Sequence, residues 1–419
     1  MDQSNLNTGR QGNVNHHMDV KSAFQNGNLK EEVYVAQPPG YVVEGQEHKV
    51  LRLDKALYGL RQAPHAWNAK LDRCLLGLGF NRSPAEHAVY RRGMGAARLL
   101  IGVYVDDLII AGNDHVEIGK FKMEMQKLFY MSDLGLLSFY LGIELKQTTN
   151  GISLNQAAYA GKSIEKAGLL GCNPCHTPME LRFKLSRVST APATDEKAYR
   201  SGVGALRYLV HTRMNLAYSV GYLSRFMEAP MMEHLAAVKQ IIRYVAGTQH
   251  HGCYYARGAT GASLVRFSDS DMPGDVDTRK STTGVLFLLG RSLISWQSHK
   301  QRVVALSTCE VEYIAAATAA CQGVWLARLL GDIKKEEADQ VMLKINNKAA
   351  ISLSKNPVFH DRRKHIETRF HFLRECVEDG RVEVEFIGTR GQLADILTKA
   401  LGRAKFRELR EEIGVVQIQ

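Results

Sequence analysis

The chain of 419 residues is 45% hydrophobic, too long for one ordinary core and too apolar to be disordered throughout, so two to three domains are expected. Its 54 Lys and Arg against 43 Asp and Glu leave a formal net charge of +11, which puts a polyanion such as nucleic acid first among candidate partners. The most apolar stretch, residues 99–112, is interrupted by Asp106 and Asp107, so no membrane span is expected, and seven cysteines without a signal-peptide pattern point away from a secreted disulfide framework.

Residues 1–17 are polar, rich in Asn, Gln and Gly, and read as a loose leader. From residue 18 to about 150, strand-like runs at 33–35, 99–105, 108–111 and 140–145 alternate with helix-like runs at 63–76 and 116–129, which predicts an α+β domain. Pro174, Pro178 and Pro192 mark a linker or loop, and helices are expected at 196–208, 216–226 and 234–245, with Pro230 as a break. Within that module Arg207, Arg213, Arg225, Lys239 and Arg243 suit phosphate contacts, or form an ordinary solvated face. Cys172 and Cys175 make a C-x-x-C, but no second pair follows at zinc-ribbon spacing, so no metal or redox role is expected of them.

Strands at 264–267, 283–289 and 303–306, a long helix at 309–330, and then strands at 341–345 and 382–387 with a helix at 349–353 between them and a closing segment at 392–401 predict an α/β domain over 263–410, followed by a tail at 411–419. His360, His365 and His371 crowd together with Arg362, Arg363, Lys364 and Arg369. That spacing fits no zinc helix and predicts a basic helix facing nucleic acid.

Two apolar runs separated by Asp106 and Asp107 describe a β-hairpin with both carboxylates at its tip. Turns favour Asp on their own account, but adjacent carboxylates on a half-buried hairpin repel unless cations neutralise them. A hard divalent ion with oxygen ligands, magnesium above all, relieves that conflict. Asp19 ends a short strand-like run upstream, and three aspartates suffice for two metals in an in-line displacement at phosphorus.

The motifs MDVKSAF at 18–24, ALYGLRQAPHAW at 56–67 and YVDD at 104–107 resemble, in that order, the reverse transcriptase of copia-type LTR retrotransposon Pol polyproteins. The resemblance implies that Asp19, Asp106 and Asp107 are a catalytic metal-binding triad and that Gln62 touches template and incoming nucleotide. It implies that Phe24 is the aromatic gate against a ribose 2′-hydroxyl, the alternative being a core Phe. FYLGIEL at 139–145 resembles the primer-gripping turn, and residues 199–247 the thumb and connecting helices.

FSDSD at 267–271, STCEVEYIA at 307–315, INNKAAI at 345–351 and QLADILTK at 392–399 resemble the four acidic motifs of the same family's ribonuclease H. Asp269, Glu312 and Asp395 are then the catalytic, metal-holding carboxylates, with Glu310 and Asp271 as neighbours that alternatively are surface charges. The third motif departs from the pattern, with Asn346 where Asp is expected. Loss of that charge weakens attraction for a dication and predicts weak or absent ribonuclease activity.

The resemblance implies an α+β chain with a reverse transcriptase palm at 18–150 and a thumb and connection at 151–262, followed by the ribonuclease H-like α/β domain. It would be an intracellular RNA-directed DNA polymerase with ribonuclease H, in a cytoplasmic particle or the nucleus. Two Mg2+ per active site, an RNA template, a DNA primer, an RNA/DNA hybrid, deoxynucleoside triphosphates and other Pol segments are its expected cofactors and partners. The family's fingers subdomain precedes the first aspartate and has no counterpart in the seventeen polar residues, so an N-terminally shortened, impaired enzyme is expected. The alternative is a non-catalytic nucleic-acid-binding remnant.

Overall fold

Apolar residues alternate along residues 99–112 and again at Met18 and Val20, and this period of two builds one face of a sheet. In the computed structural model, which describes residues 14–258, 263–355 and 372–418, the first of two units runs to Leu137 and includes Asp332–Glu336. Its elements are β1 (Val14–Val20), β2 (Asn28–Ala36), β3 (Val50–Lys55), α1 (Ala63–Gly77), β4 (Asn81–Arg82), β5 (Val89–Arg92), β6 (Leu99–Tyr104), β7 (Asp107–Gly112), α2 (His115–Leu128) and β8 (Met131–Leu136). Six strands form one antiparallel sheet in the order β4-β5-β6-β7-β1-β8, while β2 and β3 pair separately.

Helix α1 buries Ala63, Trp67, Leu71 and Leu75 at a spacing of four, with Pro64 in its first turn. Helix α2 opens on Asp114, whose side chain accepts from the backbone N–H of Val116 at 2.8 Å and of Glu117 at 3.3 Å. Both helices pack with Met18, Leu99, Ile101, Leu108 and Ile110 in one core. The expected polar leader is shorter than residue 17, because residues 14–17 already pair with β7. That pairing satisfies their backbone polar groups whatever the side chains.

The second unit holds residues 138–331 and 337–419. It contains β9 (Phe139–Tyr140), β10 (Ile143–Gln147), β11 (Gly151–Asn155), α3 (Ala157–Lys166), α4 (Glu196–Leu209), α5 (Ala217–Leu223), α6 (Met232–Ala246), β12 (His251–Ala256), β13 (Leu264–Ser270), β14 (Thr282–Leu289) and β15 (Ser292–Lys300). There follow α7 (Thr308–Lys334), β16 (Val341–Ile345), α8 (Lys348–Lys355), α9 (Phe372–Glu378), β17 (Val382–Phe386), α10 (Arg403–Glu412) and β18 (Val415–Gln417). One sheet runs β18-β12-β11-β10-β9. The other runs β15-β14-β13-β16-β17, antiparallel through β13 and parallel from β13 to β17.

Several expectations change here. Residues 303–306 form no strand: the turn at Gly290, with φ of 61°, returns the chain at once as β15, which takes the edge of β14. The closing segment at 392–401 contains a 3-10 turn, Leu393–Leu397. The expected tail instead finishes α10 and adds β18 beside β12. Helix α7, more than residues 99–112, is long and apolar enough to cross a bilayer by composition. Tyr313, Ala316, Ala320 and Val324 bury one side of it in a core with Val285, Phe287, Leu343 and Val384. The basic segment at 360–371 lies outside the described residues.

Gly284 on β14 lets the 393–397 turn approach the sheet. A Cβ there would meet Thr398 Cγ2 at 2.6 Å, Leu397 Cβ at 2.8 Å and the Ala394 carbonyl at 3.0 Å. Gly284→Ala is therefore expected to destabilise the fold by about 2 kcal/mol through overpacking. Urea denaturation checks this: an unchanged midpoint would mean the turn yields without cost.

Candidate active sites

In the first unit, register places Asp19 on β1 directly opposite Asp107 on β7, with Asp106 in the two-residue turn between β6 and β7. The backbone N–H of Val20 donates to the Asp106 carbonyl at 2.9 Å. These pairings bring the three predicted aspartates to one end of adjacent strands. All three are half-buried. The turn is strained, because β-branched Val105 sits at φ 54°. Its carbonyl accepts from Trp67 Nε1 at 2.6 Å, which ties the hairpin tip to α1.

Each strand carboxylate has a cationic or polar neighbour that pattern reading did not single out. His17 Nε2 lies 2.6 Å from Asp107 Oδ1, and the Lys21 ammonium pairs with Asp19. Hydrogen bonding and charge from Asp19 raise the Lys21 pKa. Phe24 packs against Tyr58 with ring centroids 4.7 Å apart and the rings tilted at 43°, and it is only partly buried against the core. Gln62 stands at the start of α1 and shares a small pocket with Asn28, Lys30 and His65.

The second unit gathers its acids more tightly. Asp269 lies on β13, Glu312 on the first turns of α7, Asp395 in the 393–397 turn, and Asn346 just beyond β16. Asp269 is 1% exposed and Glu312 and Asp395 are 5% exposed, so the three charges sit almost wholly out of water. Asn346 Nδ2 is 3.3 Å from Asp269 Oδ1, and the Thr398 hydroxyl donates to Asp269 Oδ2. Lys399 Nζ lies 2.8 Å from Asp395 Oδ1 and 3.4 Å from Asp269 Oδ2. Glu312 Oε1 accepts from the Ser270 backbone N–H at 3.3 Å, while its Oε2 is buried without a hydrogen-bond partner among the described residues.

The electrostatics follow from that enclosure. Burial, and then the charges of Asp269 and Asp395, push the Glu312 carboxyl up to about 9. Burial and Asp269 push Asp395 up to about 6. Burial works against the Lys399 ammonium, but Asp269 and Asp395 outweigh it and hold its pKa above the ordinary lysine value.

Neither alternative acid is a surface charge. Glu310 is buried, and its Oε2 accepts from the Leu306 backbone N–H at 2.8 Å. Asp271 accepts from the Thr282 backbone N–H and is pushed up to about 6, chiefly by burial. Thr398 and Lys399 were present in the quoted motif; the signal that marks them is their position one helical turn after Asp395. Among the described residues, no three His, Cys, Asp or Glu side chains stand arranged to hold a metal ion as they are. Oxygen-only donors and the unpartnered Glu312 Oε2 nevertheless fit a hard cation.

Comparison with known proteins matches residues 7–181 to the family described as reverse transcriptase (RNA-dependent DNA polymerase). The chain is 38% identical over 401 residues to the retrovirus-related Pol polyprotein from transposon RE1 of Arabidopsis thaliana, covering 96% of this chain and 27% of that one. It is 39% identical over 408 residues to the Pol polyprotein from transposon TNT 1-94 of Nicotiana tabacum, covering 95% and 30%. A transposon Ty5-1 protein of Saccharomyces cerevisiae is 33% identical over 303 residues, 72% of this chain and 98% of the relative. The chain thus spans under a third of the length of the Pol polyproteins it matches. A solved N-terminal RNase H domain from Mycobacterium tuberculosis, fused to maltose binding protein, overlaps 36% of this chain and 98% of that one at 11% identity, with a TM-score of 0.23, too low to carry an argument.

Because the folded pKa of Glu312 lies above its ordinary value of 4.5, the folded state binds the extra proton between pH 4.5 and about 9. Stability from this group therefore falls as pH rises through that window. With EDTA present, Glu312→Gln is expected to raise stability at pH 8 by on the order of 2 kcal/mol, and the difference should shrink towards pH 4.5. Thermal unfolding of both proteins across that range decides it, and a gap independent of pH would refute the assignment.

Proposed function

The chain belongs to the copia-type retrotransposon Pol polyproteins, and from that premise we propose that it carries an RNA-directed DNA polymerase site at Asp19, Asp106 and Asp107 and a ribonuclease H site at Asp269, Glu312 and Asp395. The observation that carries the reading is the cross-strand pairing of Asp19 with Asp107 beside Asp106. It brings three hard oxygen donors together at one end of a sheet whose family match is a reverse transcriptase. In this reading residues 18–150 are the palm, residues 151–262 are the thumb and connection, and residues 263–410 are a ribonuclease H-like domain. RNA template, DNA primer, deoxynucleoside triphosphates and RNA/DNA hybrid are its substrates and partners.

Asp19, Asp106 and Asp107 would hold one pair of magnesium ions, and Asp269, Glu312 and Asp395 the other. When bound, such ions supply activation of the attacking oxygen and charge stabilisation at the leaving oxygen. The chain's own residues do the rest. Trp67 fixes the hairpin tip that carries Asp106, and the β1 and β7 pairing fixes Asp19 against Asp107. Phe24, braced by the tilted Tyr58 ring, offers an aromatic side chain suited to excluding a ribose 2′-hydroxyl, and Gln62 presents an amide at the head of α1 for template or nucleotide. In the second site, Thr398 and Lys399 orient Asp269 and Asp395 and limit their repulsion.

Asn346 favours a second reading for the second site alone, that of a hybrid-binding surface with little turnover. An amide contributes one neutral oxygen where a carboxylate would contribute charge, and here its Nδ2 faces Asp269.

Primer extension and hybrid cleavage measured together test both sites. With a DNA primer on an RNA template and magnesium, Asp106→Asn is expected to lower extension by roughly a hundredfold or more, and equal extension by the variant would sink the first assignment. Asn346→Asp is expected to raise hybrid cleavage by about tenfold or more. No gain would remove Asn346 from the site.

A further inference from the structure

Beyond the two acidic sites, the second unit concentrates positive charge where α6 ends. Arg213 was expected on a phosphate-facing or solvated surface, yet it is 1% exposed. Its guanidinium donates to the Thr248 carbonyl at 3.0 Å and to the Thr248 hydroxyl at 2.6 Å, and it stands 5.8 Å from the centre of the Tyr244 ring. Arg410 of α10 reaches the hydroxyl of the same residue, its Nη1 3.4 Å from Tyr244 Oη, with its side chain 13% exposed. The Nε atoms of both arginines are buried and without hydrogen-bond partners among the described residues.

Fixed negative charge is scarce here. Among the described residues no carboxylate pairs with Arg213. Glu411 alone serves α10's basic face, 3.3 Å from Arg410 Nη2 and 2.9 Å from Arg407 Nε. Arg403, Arg407 and Arg410 follow one another at spacings of four and three, so they share a face. They line a pocket of about 530 Å3 together with His176, Tyr244 and His251, and Arg213 backs it through Thr248. Burial, then Arg410 and Arg213, push His251 down to about 4, so the imidazole adds no charge of its own at neutral pH.

Arg213 has a structural explanation, since it caps the carbonyl end that follows α6. Arg410 does not share it: beside a second guanidinium it has one carboxylate, Glu411 at 3.3 Å, which Arg407 shares, and its Nε stays without a hydrogen-bond partner among the described residues, so a further anion would lower the cost of its burial. Guanidinium forks suit phosphate oxygens, and the Thr248 and Tyr244 hydroxyls add neutral polar groups. Because the deepest cations are enclosed, an anion with its charge at one end fits better than the continuous backbone of a duplex.

We propose that this pocket is a phosphate-binding site for a terminal or free phosphate group of two or more charges, held by Arg410, Arg407 and Arg403 over Arg213. The ligand chemistry is shared by pyrophosphate and by the 5′-phosphate end of a strand. The site stands independently of the catalytic assignments, because none of its residues belongs to them.

Calorimetry on the full chain in EDTA, with sodium pyrophosphate as the probe, tests it. Fluorescence anisotropy alongside compares single-stranded DNA bearing a 5′-phosphate with the same strand bearing a 5′-hydroxyl. Saturable pyrophosphate binding, a preference for the phosphorylated strand, or both support the site and identify the source. Arg410→Gln is expected to weaken binding by about tenfold or more without lowering the ligand-free melting temperature. Glu411→Gln, half-exposed and safe for folding, should tighten it by about threefold. Absence of binding to both probes overturns the proposal, as does a dissociation constant that Glu411→Gln leaves unchanged or weakens.

Discussion

Mutual repulsion among Asp269, Glu312 and Asp395 is the constraint on which the arrangement of the second unit depends. Each carboxyl group is nearly excluded from water; Asp269 makes ionisation of Glu312 and Asp395 harder, and Asp395 adds to the effect on Glu312. The fold tolerates them because three elements bring four compensating groups to one point: the Ser270 N–H of β13, the Asn346 amide after β16, and the Thr398 hydroxyl and Lys399 ammonium beyond the 393–397 turn. Absence of a side chain at Gly284 admits that turn to the sheet. A corner built this way is less stable than an apolar one of equal volume, which is the usual mark of residues kept for chemistry.

How much of this was legible in the sequence depended on the range of the interaction. The hairpin at Asp106 and Asp107 was readable because its strands are adjacent and its apolar alternation is local. Asp19 was recognised by motif, and only pairing across 88 residues sets it against Asp107. His17, Lys21 and Trp67 lay in or beside the quoted motifs, yet their partners could not be named because periodicity carries no information about contacts between distant segments. The strand expected at 303–306 failed for a related reason. Apolar content marks an edge-strand candidate, but a tight turn gave the edge of β14 to residues that follow it directly.

Net charge was a coarser guide than the count suggests. Arg266 is fully buried, donating to the carbonyls of Ala319 at 3.1 Å and Val341 at 2.9 Å, and burial pushes it down to about 9. Arg225 is nearly buried against Asp275 at 3.1 Å. Together with Arg213 these cations act inside the protein, as caps and ties between elements, and lend little to an exposed polyanion-binding face. An inference from +11 to nucleic acid therefore rests on the remaining surface residues and on family membership, with composition as a prior only.

The two acidic sites resolve the same repulsion in opposite ways, and position 346 shows what that costs. In the first unit, Lys21 is half-exposed and pairs with an aspartate that still reaches solvent. An exposed ion pair is weak because water screens it, so an incoming cation replaces it cheaply. In the second unit Lys399 is also 41% exposed, but the carboxylates it pairs with are buried and take further hydrogen bonds from Asn346 and Thr398. There a fourth carboxylate at position 346 would face Asp269 across the distance its amide now bridges, adding repulsion that only a dication can cancel. Asn346 turns that contact into an attraction and stabilises the fold without any ion. Stability and cation affinity thus pull in opposite directions at this residue, and the amide settles the balance on the side of the ion-free protein.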